Sequence, residues 1–97
     1  MTDAQIIELI GRRRRQILVH SYLYYDRNAN LISDSAWSKW AMELVDLQNR
    51  YPRLSVEAPY YEDFVGFDGS TGFDLNFRQP QIISTAEHLL NYASRKE

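Results

Sequence analysis

The chain has no cysteine, which excludes disulfide bonds and thiolate metal sites. It also lacks an apolar run of the roughly 18–20 residues that a bilayer-spanning helix needs, so no membrane association is expected. Its four glycines form no phosphate-binding loop, because the stretch from Gly66 to Gly72 matches neither the P-loop nor the dinucleotide-binding spacing. The first charged cluster follows a short apolar stretch, the reverse of a secretory signal, and the chain is expected to be cytoplasmic.

The chain has no large excess of charge of either sign, with a net charge of −2. Nucleic-acid-binding domains are usually strongly basic, so direct binding to nucleic acid is not expected. The one dense basic feature is Arg12–Arg15. Because these four side chains fan around a helix, we interpret them as a solvated surface in which Glu8 balances Arg12. The alternative is that one or two of them contact a phosphate or an acidic partner.

The apolar periodicity predicts two helices, at about 3–26 and 34–50. Thr2 or Asp3 can cap the first, and Ser33 or Asp34 can cap the second. Pro52 ends the second helix. Since only a short loop joins the two helices, they are expected to pack antiparallel.

The residue pattern in the second half of the chain predicts a small β-hairpin at about 63–76 and a C-terminal helix at about 80–94. Asp68–Gly69 supplies the hairpin turn, and residues 51–62 are expected to be irregular. We therefore predict one α+β domain over 1–97, mostly α. It comprises the helical pair (1–53) followed by the hairpin and the last helix (54–97).

Aromatic side chains cluster where the first helix ends and the second begins. Tyr22, Tyr24 and Tyr25 precede the loop, and Asp34 and Trp37 follow it. Aromatic faces beside a carboxylate can hold a flat polar ring. Residue types alone favour the simpler interpretation, in which the rings pack the helix pair and the aspartate caps a helix. If Ser33 is the cap instead, the aspartate carboxylate is left free.

No catalytic or metal-binding constellation is visible in the sequence. His20 and His88, the only histidines, lie 68 residues apart without neighbouring ligand motifs. The serines sit in no nucleophile motif. Neither a metal nor a required cofactor is predicted.

The stretch HSYLYYDRNANLISDSAWSKWAMELVDLQNRYP, at residues 20–52, resembles the N-terminal helical domain of bacterial NAD-dependent DNA ligases. With the preceding helix, the resemblance spans about residues 6–53. In that family the domain recognises the nicotinamide mononucleotide half of NAD. The resemblance implies that Tyr24 and Tyr25 match the ring-stacking pair and that Asp34 matches a nicotinamide-site aspartate. Trp37 stands where the family usually has tyrosine, and Ser38 where it usually has a second aspartate.

The family's Lys-x-Asp-Gly adenylyltransferase motif is missing, because Gly66 stands where the lysine would precede Asp68–Gly69. The resemblance therefore implies a free-standing, non-catalytic module that binds nicotinamide mononucleotide or NAD as an accessory in DNA metabolism. The alternative is a protein–protein interaction module that has kept the fold and lost the ligand. In that case Tyr60 and Tyr61 are candidate anchors for a protein partner.

Overall fold

The computed structural model describes residues 1–95, and this range is mostly helical. The elements are listed here in chain order: α1 (Asp3–Asp26), α2 (Asp34–Arg50), α3 (Pro52–Glu57), a 3-10 turn (Glu62–Phe64) and α4 (Pro80–Arg95). The mostly-α prediction is confirmed. No helix within residues 1–95 is both long enough and apolar enough to cross a membrane.

Helix α1 has well-defined signals at both ends. Thr2 and Gln5 form a reciprocal capping box, in which each side chain accepts a hydrogen bond from the other residue's backbone N–H. At the other end the amide of Ala29 donates to the carbonyl of Leu23 at 2.8 Å. Asn28 between them has a φ of 50°, a left-handed conformation that asparagine tolerates better than most residues. This reversal turns the chain back toward α1.

Helix α2 begins at Asp34 because Ser33 is its N-cap, with the Ser33 hydroxyl accepting from the amide of Ala36 at 3.1 Å. Contacts between the helices show their relative direction. His20 lies against Trp40, whereas Arg14, earlier on α1, reaches Gln48, later on α2. The predicted antiparallel pair is therefore present.

The expectation that residues 51–62 are irregular is wrong for their first half. Pro52 ends α2 and is also the first residue of α3, a position that suits proline because its missing N–H would have no helical partner. The chain then crosses α1 at Gly11. A Cβ added to Gly11 would lie 2.9 Å from Cδ of Pro59, so this crossing requires glycine.

The interpretation of the arginine run as a solvated surface is wrong for Arg14, which is fully buried. Its guanidinium donates to the side chain of Gln48, to the hydroxyl of Ser55 and to the carbonyls of Ser55, Ala58 and Pro59. The end of α3 turns these carbonyls toward α1, where the five-donor guanidinium bonds all three, and the Ser55 carbonyl also accepts from the amide of Ala58 at 3.3 Å. The predicted pair of Arg12 with Glu8 is present at 2.9 Å.

The predicted β-hairpin at 63–76 is wrong, because the described chain contains no strand. Its backbone makes local turns instead, in which the amide of Phe67 donates to Phe64 and that of Leu75 donates to Gly72. Phe64 and Phe77 are each 2% exposed. An isolated two-stranded hairpin is only marginally stable in water. Burial of these two rings in the helical core removes their apolar surface from water and so stabilises the turns.

Helix α4 packs on α1 and confirms the predicted C-terminal helix. Ile82 and Ala86 are buried in the core, and the Tyr22 hydroxyl donates to Glu87 at 2.8 Å. Helix α1 therefore lies at the centre, contacted by α2, α3 and α4. Its buried residues spread around much of its circumference rather than along one face. Its C-terminal turn still reaches the surface beside the start of α2.

Candidate functional site

A cleft of about 250 Å³ lies where α1 ends and α2 begins. Its walls come from the last turns of α1, the connecting loop, the first turn of α2 and a short segment at residues 70–72. The five side chains implicated by the sequence all line this cleft: Tyr24, Tyr25, Asp34, Trp37 and Ser38. Two antiparallel helices joined by a short reversal bring these positions together although up to 14 residues separate them along the chain. Their role in binding stays a prediction.

The two tyrosines of the cleft differ in how firmly they are held. Tyr25 stacks on Phe77 with ring centroids 5.7 Å apart, contacts Phe73 edge-on, and shares a hydrogen bond of 3.0 Å with the Thr71 hydroxyl. Tyr24 is 50% exposed, and its ring meets Tyr25 edge-to-face at 4.9 Å. Tyr25 is therefore a fixed wall, while Tyr24 presents an aromatic surface to solvent. The third tyrosine, Tyr22, is core.

Asp34 is exposed at the first position of α2 and lines the cleft. Because Ser33 is the cap, the carboxylate is not used to close the helix end. Among the described residues, none donates a hydrogen bond to this side chain or pairs with it. The alternative in which Asp34 is mainly a capping residue is thereby set aside, and a carboxylate without a partner faces the cleft.

Trp37 and Ser38 complete the part of the cleft that α2 supplies. Trp37 is partly buried and packs against the core, so one surface of the indole is fixed while its edge lines the cleft. Ser38 is exposed and offers one hydroxyl. These are the positions at which the chain departs from the ligase pattern, and both still lie at the cleft.

Sequence reasoning missed the far wall, which comes from Ser70, Thr71 and Gly72. A Cβ added to Gly72 would meet the Ser21 side chain and lie 3.2 Å from Cζ2 of Trp37. Glycine therefore lets this segment approach both helices closely. The turn before it is visible in the sequence, where Asp68 accepts from the amide and hydroxyl of Ser70. Nothing in the sequence indicates that this turn folds back onto α1.

Ser21 is a second residue of the lining that the sequence analysis did not single out. Its side chain is 2% exposed and lines the cleft. Within the described range its hydroxyl oxygen is buried without a hydrogen-bond partner. Leaving a buried hydroxyl unpaired costs about 1–3 kcal/mol, so a water molecule or a ligand atom in the cleft is expected to bond it.

The charge of the cleft is determined by few side chains. His20 lines it, and burial lowers the pKa of this imidazole below its ordinary value of 6.5, so it is neutral at pH 7. Asp34 supplies a negative charge, and no lysine or arginine within residues 1–95 lines the cleft. Residues 1–95 also contain no group of three or more side chains that could hold a metal ion.

Fold and site together define a small helical domain that carries an aromatic, hydroxyl-rich cleft at one end of an antiparallel helix pair.

No protein-family model matches the chain, and no solved structure matches it significantly. Curated proteins similar to it are DNA ligases. Fifty residues are 36% identical to the DNA ligase of Thermotoga petrophila and 34% identical to that of Thermotoga maritima. The aligned stretch covers 52% of this chain and 7% of each ligase. The chain thus has distant, partial similarity to DNA ligase.

The two tyrosines suggested as anchors for a protein partner are placed differently. Tyr60 is partly buried against the core. Tyr61 is 37% exposed, and the guanidinium of Arg14 lies 5.9 Å from the centre of its ring. Tyr61 therefore helps to cover the buried arginine, and Tyr60 helps to cover the core. The interaction module stays a prediction, without a structural feature that favours it over the cleft.

Proposed function

We propose that this chain is a non-catalytic, ligase-related module that binds a nicotinamide nucleotide in the cleft between α1 and α2, as an accessory in DNA metabolism. The observation that carries the proposal is the convergence of Tyr24, Tyr25, Asp34, Trp37 and Ser38 around one cleft. These are the positions that resemble the nicotinamide site of NAD-dependent DNA ligases. The similarity to Thermotoga DNA ligases supports the ligase-related part.

The cleft offers the chemistry that a nicotinamide group requires. The exposed face of Tyr24 and the edge of Trp37 provide aromatic surface for a flat heterocycle. The free carboxylate of Asp34 accepts hydrogen bonds from an amide or from ribose hydroxyls. The unpaired hydroxyl of Ser21 and the exposed hydroxyl of Ser38 can each donate to a carbonyl oxygen or accept from an N–H group.

The serine at position 38 weakens this site relative to the ligase pattern. Where the family has a second aspartate, Ser38 makes a neutral hydrogen bond at best. A charged hydrogen bond contributes about 1.5–3 kcal/mol and a neutral one about 0.5–1.5 kcal/mol. We expect micromolar-to-millimolar binding, and restoring the carboxylate with Ser38→Asp should tighten it several-fold.

The missing Lys-x-Asp-Gly motif is the ground for the non-catalytic part of the proposal. Covalent transfer of AMP needs a lysine beside an Asp-Gly pair, and Gly66 occupies that place here. Asp68–Gly69 instead forms a turn, with Asp68 bonded to Ser70 and Gly69 at a φ of 83°. Lys39, the lysine within residues 1–95, lies on α2.

Titration calorimetry with nicotinamide mononucleotide and with NAD tests the proposal. We expect one site per chain, and about tenfold weaker binding by Asp34→Ala. The matched control is Asp46→Ala, because Asp46 lies on the same helix in an exposed pair with Arg50. If neither nicotinamide mononucleotide nor NAD produces heat at millimolar concentration, the proposed function is refuted.

A further inference from the structure

The charge around the cleft is unfavourable for one part of a nicotinamide nucleotide, the phosphate. A phosphate monoester carries about −1.5 to −2 charges at pH 7, and proteins hold it with arginine, lysine or several backbone amides. Within the described residues, the lining of this cleft includes no arginine or lysine, and Asp34 contributes a negative charge. The side chains of the cleft therefore repel a phosphate rather than attract one.

Two basic residues of the neighbouring segments are engaged in ion pairs, whereas Lys39, next to Ser38, has no such pair among the described residues. Arg27, at the start of the connecting loop, pairs with Glu87 at 3.1 Å. Arg78 pairs with Asp26 at 2.7 Å through two hydrogen bonds. Neither guanidinium lines the cleft.

One feature of the cleft attracts anions, namely the N-terminus of α2, which is equivalent to about half a positive charge. Two of its amides are occupied, since that of Ala36 donates to the Ser33 hydroxyl and that of Trp37 to the Ser33 carbonyl. Asp34 then places a full negative charge in this first turn. The net effect of the helix end and its carboxylate is negative.

The same features suit a cation. Aromatic faces beside a carboxylate are the arrangement that recognises quaternary nitrogen in proteins. The oxidised nicotinamide ring, when joined to ribose, is a pyridinium cation. Tyr24, Tyr25 and Trp37 supply the rings, and Asp34 supplies the opposite charge. The hydroxyls of Ser21 and Ser38 are neutral partners that suit ribose and carboxamide groups.

We infer that the cleft recognises the cationic base and ribose of its ligand and disfavours the phosphate, so that nicotinamide riboside is bound more tightly than nicotinamide mononucleotide. This inference rests on the proposed function, because it takes nicotinamide chemistry as given. It goes further by assigning the ligand class as a positively charged nucleoside.

Calorimetric titration of the full chain with three ligands tests the inference. The ligands are nicotinamide riboside, its neutral reduced form and nicotinamide mononucleotide. At low salt we expect the riboside to bind about fivefold more tightly than the mononucleotide, the effect of one like-charge repulsion at short range. This preference should shrink at high salt as screening sets in. The reduced riboside should bind about tenfold more weakly than the oxidised one.

Three variants assign the effect to residues. Asp34→Asn should remove both preferences, whereas Asp46→Asn, on the exposed side of the same helix, should keep them. Lys39→Gln should leave the affinity for the mononucleotide unchanged, because Lys39 is not part of the lining.

The outcomes separate this inference from the proposed function. If the mononucleotide binds as tightly as the riboside or more tightly, the inference is overturned while the proposed function stands. Loss of mononucleotide affinity in Lys39→Gln would likewise overturn it, by locating a phosphate contact. Equal binding of the oxidised and reduced ribosides would refute recognition of the cation. If none of the three ligands binds, the proposed function itself fails, and the inference fails with it.

Discussion

The Tyr25 hydroxyl lies 3.0 Å from the Thr71 hydroxyl, so a single hydrogen bond joins the end of α1 to the far wall of the cleft. Tyr25 belongs to the half of the chain that resembles DNA ligase, and Thr71 belongs to the other half. The second half therefore does more than extend the core. It supplies one wall of the site and holds one of the site's aromatic rings in place.

Tyr25→Phe removes this bond and keeps the ring. We expect the free energy of unfolding to fall by about 0.5–1 kcal/mol, the usual contribution of an exposed, neutral hydrogen bond. Ligand affinity should fall a few-fold, because the far wall is no longer tied to α1. Tyr24→Phe is the control, since no described residue bonds the Tyr24 hydroxyl, and it should leave stability within about 0.3 kcal/mol. Urea denaturation of both variants measures the difference, and equal stabilities would contradict the assigned role.

Gly72→Ala tests the close approach of the far wall to both helices. The added methyl would meet Ser21 and Trp37, so the segment must move, at a cost of about 1–3 kcal/mol. We expect ligand affinity to fall about tenfold or more. In Gly66→Ala the new methyl meets nothing within 4 Å, although the φ of 79° strains an alanine. That control should lose about 1 kcal/mol of stability and keep its affinity for ligand. If Gly72→Ala bound ligand normally, the segment would not be part of the site.

Arg14→Met tests the buried guanidinium. Removing it leaves the carbonyls of Ala58 and Pro59 without their donor and the Ser55 carbonyl with only the amide of Ala58, and we expect a loss of about 3–5 kcal/mol. Arg15→Met, at the exposed neighbouring position, should change stability by less than about 0.5 kcal/mol. Thermal unfolding followed by circular dichroism measures both. Similar melting temperatures for the two variants would contradict the buried position of Arg14.

The pair of Asp26 and Arg78 predicts a pH dependence of stability. The hydrogen bonds from Arg78 hold the pKa of Asp26 below its ordinary value of 3.8. A carboxyl with a depressed folded-state pKa stabilises the fold fully above its unfolded pKa. That contribution is lost as the pH falls through the folded pKa. Unfolding midpoints measured from pH 6 to below about pH 3 should therefore fall more steeply for the wild type than for Asp26→Asn. Parallel curves would show that the pair contributes nothing.

The helices were predictable because local signals coincide with the apolar periodicity. Thr2 and Ser33 cap the two long helices, and Pro80 begins the last one. The lining of the cleft from α1 and α2 was predictable for a related reason. A helix pair with a short reversal fixes which positions face each other, and the resemblance to a known domain named those positions.

The errors lie where tertiary contacts decide the structure. The hairpin prediction treated residues 63–76 as two paired strands, whereas Phe64 and Phe77 are each buried in the helical core. Arg14 was predicted to be solvated because it lies in a run of arginines, but its hydrogen-bond partners lie 34 to 45 residues away in the sequence. The far wall was missed because the contact of Gly72 with Ser21 spans half the chain and has no local signal.

The two tryptophans provide the most direct test of nicotinamide binding in the cleft. Trp37 lines the cleft, whereas Trp40 lies one turn further along α2, against His20. Their indole N–H resonances can be followed in two-dimensional NMR spectra while nicotinamide mononucleotide or riboside is added. Ligand binding in the cleft predicts a large, saturable shift of the Trp37 resonance and a much smaller one for Trp40. Unchanged resonances at millimolar ligand, or equal shifts of both, would contradict it.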